Sequence, residues 1–278
     1  MECQGVKKMK LFKYLILLVF IIGAGMAVWL LYPQYEIYKI KKHAVQVQSK
    51  TNYVTYCNYY SHSTGKGLSH LALGDSVIRG YGVAENENLV HQFSTKLGNE
   101  IHKQIEFKNE GINGITSSEL KKLVQEGKFD DEIKKSDIVT INVGGNDILR
   151  AADQGNIQNV FHTFNQLETN FSNNLTEIAA RIKSKNSHAS IVFLELYNPL
   201  SPTEPMYSLA DKLLPKWNLK IYEVANHFPN SLVVETTKAI NSKKLNNLSA
   251  DGIHPNSAGY TAISTQMFYQ FKHEYRKA

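Results

Sequence analysis

Cysteine is almost missing from this chain. Only Cys3 and Cys57 occur, so no disulfide framework holds the fold. Cys-x-x-Cys and His-Glu-x-x-His are both absent, and histidines such as His62, His70, His91 and His188 have no metal-site spacing. The sequence therefore supports no metal and no other cofactor. A concentrated block of positive charge is lacking too. The net charge is +6, but the lysines are scattered, which excludes the basic stripe of a nucleic-acid binder. A basic surface turned toward a membrane or cell wall is the simpler reading. Bulk disorder is excluded by a composition that is 42% hydrophobic and 20% charged, ordinary for a globular chain. No internal repeat is evident.

Charge is also missing from Tyr14 to Tyr32, YLILLVFIIGAGMAVWLLY, and none follows until Glu36. An apolar run of this length matches the hydrocarbon thickness of a bilayer. Lys7, Lys8, Lys10 and Lys13 precede it, which predicts a cytoplasmic N-terminus. Lys39, Lys41 and Lys42 weaken that bias from the other side. If the run spans a membrane, Cys3 and Cys57 lie on opposite faces and cannot pair. The competing reading is a cleaved signal around Gly25-Met26-Ala27 followed by secretion, but the apolar run continues through Leu31. The expected organisation is residues 1–13 cytoplasmic, 14–32 a single transmembrane anchor, 33–67 a polar Tyr-rich linker, and 68–278 one extracytoplasmic domain. Within the linker, residues 39–50 read as a continuing helix, and SHSTGKG as a loop.

Beyond Leu68, short apolar runs alternate with longer amphipathic ones. Expected strands are Ser69–Leu73, Ile105–Asn109, Asp137–Val143, Ser190–Leu196 and Ser231–Glu235. A helix is predicted over 157–183, where apolar residues recur every three to four positions. Thr116 and Glu119 form a capping box that starts another. Strand alternating with helix predicts an α/β fold: a parallel five-stranded sheet in a three-layer α/β/α sandwich.

Ligands of such sheets bind beyond the carboxyl ends of the strands. Four segments there carry chemistry: Gly74-Asp75-Ser76-Val77, Asn109 to Gly114, Gly144-Gly145-Asn146-Asp147, and Asp251-Gly252-Ile253-His254-Pro255. Each is weak alone, since Gly-Asp-Ser and Gly-Gly-Asn-Asp are ordinary turn sequences. Their order, each after a strand, is what points to acyl transfer. A serine hydroxyl needs a base to take its proton. His254 can serve, with Asp251 three residues earlier to hold the imidazole. An oxyanion needs fixed donors, and the Asn146 amide with the backbone N–H groups of Ser76 and Gly114 can provide them. Asp147 reads as a loop-bracing residue and Arg79 as a solvated one. Three Asn-x-Ser/Thr triplets at Asn170, Asn174 and Asn247 fit the glycosylation pattern by chance.

LALGDSV, NEGINGIT, INVGGND and DGIHPN together resemble the signature blocks of the SGNH hydrolases, also called GDSL lipases/acylhydrolases, from about Leu68 onward. The resemblance implies a flavodoxin-like fold, Ser76 as nucleophile, Gly114 and Asn146 in the oxyanion hole, and His254 as base with Asp251 as its partner. Val77 stands where that family usually has Leu, and Ile115 where an acidic residue often follows the Gly. The Gly-x-Ser-x-Gly elbow of ordinary α/β-hydrolases is absent. The resemblance implies a serine ester hydrolase. Its substrate would be a small-molecule, lipid or glycan ester. An O-acetyl esterase or acyltransferase on cell-wall glycans and an inactive wall-binding protein are the alternatives. The acyl chain, the alcohol and the oligomeric state are left open.

Overall fold

The computed structural model describes residues 2–47, 53–65, 67–153 and 157–277. Residues 48–50, the end of the helix expected over 39–50, lie outside them. In chain order the elements are α1 (Glu2–Val47), β1 (Tyr53–Thr55), α2 (Tyr56–His62), β2 (Gly67–Gly74), α3 (Ser76–Arg79), α4 (Leu89–Ile101), β3 (Gln104–Gly111), α5 (Ser117–Gln125), α6 (Asp130–Lys135), β4 (Ile138–Asn142), α7 (Gly145–Asp153), α8 (Ile157–Lys185), β5 (Ser190–Leu194), α9 (Tyr207–His227), β6 (Ser231–Val234), α10 (Ser257–His273) and β7 (Tyr275–Lys277).

β2 to β6 form one parallel sheet in the order β3-β2-β4-β5-β6. All five expected strands are present. β4 and β5 are buried along their whole length, as a sheet covered on both faces requires. Successive side chains point to opposite faces, which divides the core in two. Leu71, Leu73, Val139, Ile141, Ile191 and Phe193 meet α5, α8 and α9 on one face. Ala72, Ile138, Val192 and Leu194 meet α2, α4 and α10 on the other. The capping box is made: Thr116 accepts from the Glu119 N–H, and the Glu119 carboxylate accepts from the Thr116 N–H.

The stretch read as a linker over 33–67 is instead largely folded onto the domain. α1 continues as one helix past Pro33 to Val47, and Ile37 and Ile40 pack against the first core face. Lys41 pairs with Glu235. α2 buries Tyr56, Cys57 and Tyr60 in the second face. β1 pairs with β7 in a separate antiparallel ribbon. The Tyr60 hydroxyl bonds the Asp137 carbonyl at 2.8 Å and Ser190 Oγ at 2.7 Å. Tyr60 is thus buried with its hydroxyl satisfied, whereas Tyr56 is buried by ring packing, 5.1 Å from the Phe271 ring, with no hydrogen-bond partner for its hydroxyl among the described residues. Burial pushes the Cys57 thiol up to about 12, so it behaves as a small hydrophobe.

Candidate active site

The rim is assembled around β2, the strand whose neighbours are β3 and β4. That order brings the segments after three adjacent strands side by side. Ser76 opens α3 directly after β2. Its turn is locked by close approach: a Cβ on Gly74 would lie 2.0 Å from the Asn142 carbonyl oxygen, so only glycine fits. Asp75 is buried at 4% exposure and caps α3. Its Oδ1 accepts from the Val77 N–H and from Asn142 Nδ2, both at 2.9 Å. Burial pushes the Asp75 carboxyl up to about 6 against the pull of these two bonds.

His254 arrives from the other end of the domain, between β6 and α10. Its segment closes on itself: Leu248 bridges Pro255, Ser249 N–H donates to the His254 carbonyl, and Asn256 Nδ2 donates to the Asn246 and Leu248 carbonyls. Asp251 Oδ1 accepts from the N–H groups of Ile253 and His254 and from Ser249 Oγ. Its Oδ2 lies 2.7 Å from His254 Nδ1. Burial raises the Asp251 carboxyl, but these donors outweigh it and hold it well below the usual carboxylate range. His254 Nε2 lies 2.8 Å from Ser76 Oγ, 178 residues away in sequence.

Ser76, His254 and Asp251 therefore form one hydrogen-bonded chain. The carboxylate bond fixes the imidazole with its Nδ1 as donor, leaving Nε2 to accept the serine proton. Such a chain can turn a hydroxyl into a nucleophile without a metal.

Gly114 and Asn146 flank that chain on the two sides of β2. Gly114 sits in the loop after β3 at φ +76. A Cβ there would meet nothing within 4 Å, so the left-handed backbone, not space, calls for glycine. Asn146 lies in the first turn of α7, where GGND starts a helix and not only a turn. Its Nδ2 donates to the Ile115 carbonyl at 3.0 Å. Asp147 braces the loops: its carboxylate accepts from the Ser117 N–H and Oγ, tying α7 to the start of α5. Asn174 is buried and donates to Ser117 Oγ, so its glycosylation triplet is taken up by structure.

Sequence reasoning missed two neighbours. Tyr81 places its ring 4.5 Å from the His254 ring, centroid to centroid, at 40°. Arg150 donates to the Gly114 carbonyl at 2.6 Å and to Glu119 at 2.9 Å, clamping the Gly114 loop. The available signal for Arg150 was its place four residues after Asn146, on the same face of α7.

Residues 72–262 match the GDSL-like Lipase/Acylhydrolase family. The chain belongs to that family. The spore germination lipase LipC of Bacillus licheniformis is 27% identical over 205 residues, covering 72% of this chain and 94% of that protein. The lipase Lip_vut3 from a goat rumen metagenome superposes with a TM-score of 0.65 at 25% identity, covering 73% of this chain and 97% of its own. Axe2, an acetylxylan esterase from Geobacillus stearothermophilus, shares the fold with a TM-score of 0.55 at 21% identity, covering 76% of this chain and 96% of that one. Family membership agrees with the GDSV, GGND and DGIHP segments gathered on one rim, and with the parallel five-stranded sheet beneath them. The family comprises lipases and esterases, which makes an ester-hydrolysing role the functional frame for this site.

Proposed function

We propose that the protein is a serine-dependent hydrolase of carboxylic esters, held at a membrane by α1 with its domain outside the cytoplasm. Ser76 is the nucleophile, His254 the general base and Asp251 its orienting partner. The Ser76 Oγ–His254 Nε2–Nδ1–Asp251 relay carries this reading, because it joins segments 178 residues apart in one geometry suited to proton transfer.

In the first half-reaction His254 Nε2 takes the Ser76 proton as Oγ attacks the ester carbonyl carbon. The carbonyl oxygen gains negative charge, which the Ser76 and Gly114 N–H groups and the Asn146 amide stabilise. Asn146 Nδ2 has a second N–H besides the one given to the Ile115 carbonyl, and that second donor serves the oxyanion. Collapse breaks the bond to the alcohol, which leaves with the proton from His254. Water then attacks the acyl-serine, gives its proton to His254 and releases the acid as Ser76 is re-protonated. The lipases among the relatives favour a lipid-like ester. Among the described residues one helical stretch, Leu15–His43, is long and apolar enough to cross a membrane, which supports the anchor. Its continuation into a helix seated on the domain favours retention over cleavage near Ala27.

A fluorophosphonate probe and a short-chain chromogenic ester test the mechanism. The probe is expected to label Ser76, and Ser76→Ala is expected to lose both labelling and turnover. Labelling of a different serine, or persistent hydrolysis by Ser76→Ala, refutes it. An acyltransferase would instead need an added sugar acceptor for turnover, and an inactive wall-binding protein would show none. Alkaline carbonate extraction tests the anchor: full-length protein should stay with the membrane.

A further inference from the structure

The contacts of α1 fix which way the domain faces. Lys216 Nζ lies 3.3 Å over the Trp29 ring. Two residues on, Asn218 brackets Leu196 through bonds to its N–H and carbonyl, so α9 is here level with the end of β5. Further along α1, Lys41 pairs with Glu235, one residue beyond β6, and lies 5.0 Å over the Tyr222 ring, deeper along α9. Further still, α2 sets Tyr60 on Asp137 and Ser190, at the opposite edge where β4 and β5 begin. The chain thus descends from the carboxyl rim of the sheet to its amino edge. Residues 15–28 precede Trp29 and run out beyond the rim, and the apolar span is 0% buried.

Two further observations agree. Trp29, Tyr32, Tyr35 and Tyr38 recur every three residues of α1, all exposed, as in the aromatic belt at a membrane interface. At 1.5 Å per residue, Trp29 stands only about 18 Å along the helix from Lys41. On the rim itself, Tyr81, Leu149 and Ile253 are large apolar side chains 47%, 43% and 40% exposed. They come from three segments: the one after β2, the helix after β4, and the loop that holds His254.

We propose that the rim bearing Ser76 and His254 faces the bilayer from which α1 emerges, and that its substrate is a lipid carboxylic ester resident in that leaflet. This rests on the reading of α1 as anchor and Ser76 as nucleophile. An orientation set by a helix that leaves from the rim side brings the nucleophile to the lipid surface. The exposed apolar residues around it would there meet headgroup and acyl chain instead of water.

The test uses the full chain in vesicles of phosphatidylcholine and phosphatidylglycerol, with Cys3→Ser and the buried Cys57 kept. A fluorophore is placed on Leu149→Cys at the rim or on His188→Cys, exposed just ahead of β5 at the opposite edge. Headgroup spin-labelled lipid is the quencher. The rim label is expected to lose most of its intensity and the His188 label almost none. Equal quenching, stronger quenching at His188, none at either, or protein that does not float with the vesicles overturns the orientation. On the same samples, a fluorogenic phospholipid ester in the protein's own vesicles should be hydrolysed several-fold faster than in added vesicles; equal rates overturn the resident-lipid substrate. Turnover of a soluble short-chain ester is read in parallel. If it and the lipid ester are both inert while the rim label is quenched, the esterase reading and the lipid substrate fall and the orientation stands.

Discussion

The nucleophile turn and the base loop are each organised by an aspartate, and the two aspartates are in opposite situations. Asp75 is buried and ties its turn to a neighbouring strand through Asn142. Asp251 is partly exposed and collects donors from residues 249 to 254. The first turn is therefore braced by the sheet, the second mainly by its own residues and by the Tyr197 hydroxyl, which donates to the Ile253 carbonyl at 2.9 Å. Their charges respond to pH in opposite senses. Asp75 has its pKa raised to about 6 by burial, so the folded state holds its proton more tightly, and stability declines as pH rises from about 4 to about 6. Asp251 has its pKa depressed by its donors. Its contribution is present above about 4 and is lost as pH falls below that. One acid serves architecture and the other serves the imidazole.

Mutations can break or sharpen this contrast. Taking one residue from each region, Ser76→Ala and His254→Ala should each cost on the order of 10⁶ in turnover, and the double variant should be no worse. Multiplying losses in ester kinetics would mean that the two regions act independently. Asp251→Asn should cost roughly 10⁴ in kcat with only a modest fall in melting temperature at neutral pH, because tautomer control and the carboxylate's stabilising charge are lost while the loop keeps its backbone bonds. A collapse of Tm would show that Asp251 braces the fold as Asp75 does. Asn146→Ala should cost about 10² to 10³, mostly in kcat, since one donor to the oxyanion is removed. Wild-type turnover in a folded Asn146→Ala protein would remove Asn146 from the mechanism. The smallest effect on rate is expected at Asp75→Asn, whose signature is in stability. The neutral amide imitates the protonated acid, so melts across about pH 4 to 6 should show the variant gaining on the wild type with rising pH, by on the order of 2–3 kcal/mol. A difference that does not change with pH would mean that Asp75 is not held protonated by burial.

The sequence made the sheet legible because its strands are short β-branched runs bounded by polar and Gly signals, and these depend on local pattern alone. Ser76, His254 and Asp251 were legible as a set because acyl transfer restricts residue type and order. The residues that hold them were not. Asp75 reads as part of a Gly-Asp-Ser turn until Asn142 is seen beside it. Arg150 is one more exposed arginine until the Gly114 carbonyl is seen to accept from it. The stretch Tyr56-Cys57-Asn58-Tyr59-Tyr60 looks polar, and its burial depends on Phe271 and Arg276, which no local window contains.

That last dependence also sets an order of assembly. Tyr60 and Arg276 are hydrogen-bonded although 216 residues apart, and β1 pairs with β7. Contacts of such long range form late, after the loops between them have closed. During vectorial synthesis α2 would emerge among the first residues of the domain, yet it must wait for nearly the last before its tyrosines are covered. The seam between α2 and β7 therefore cannot close before the C-terminal strand is available. Until it shuts, the tyrosines of α2 remain uncovered, which makes this seam the place where a chaperone or a protease would meet the unfinished chain.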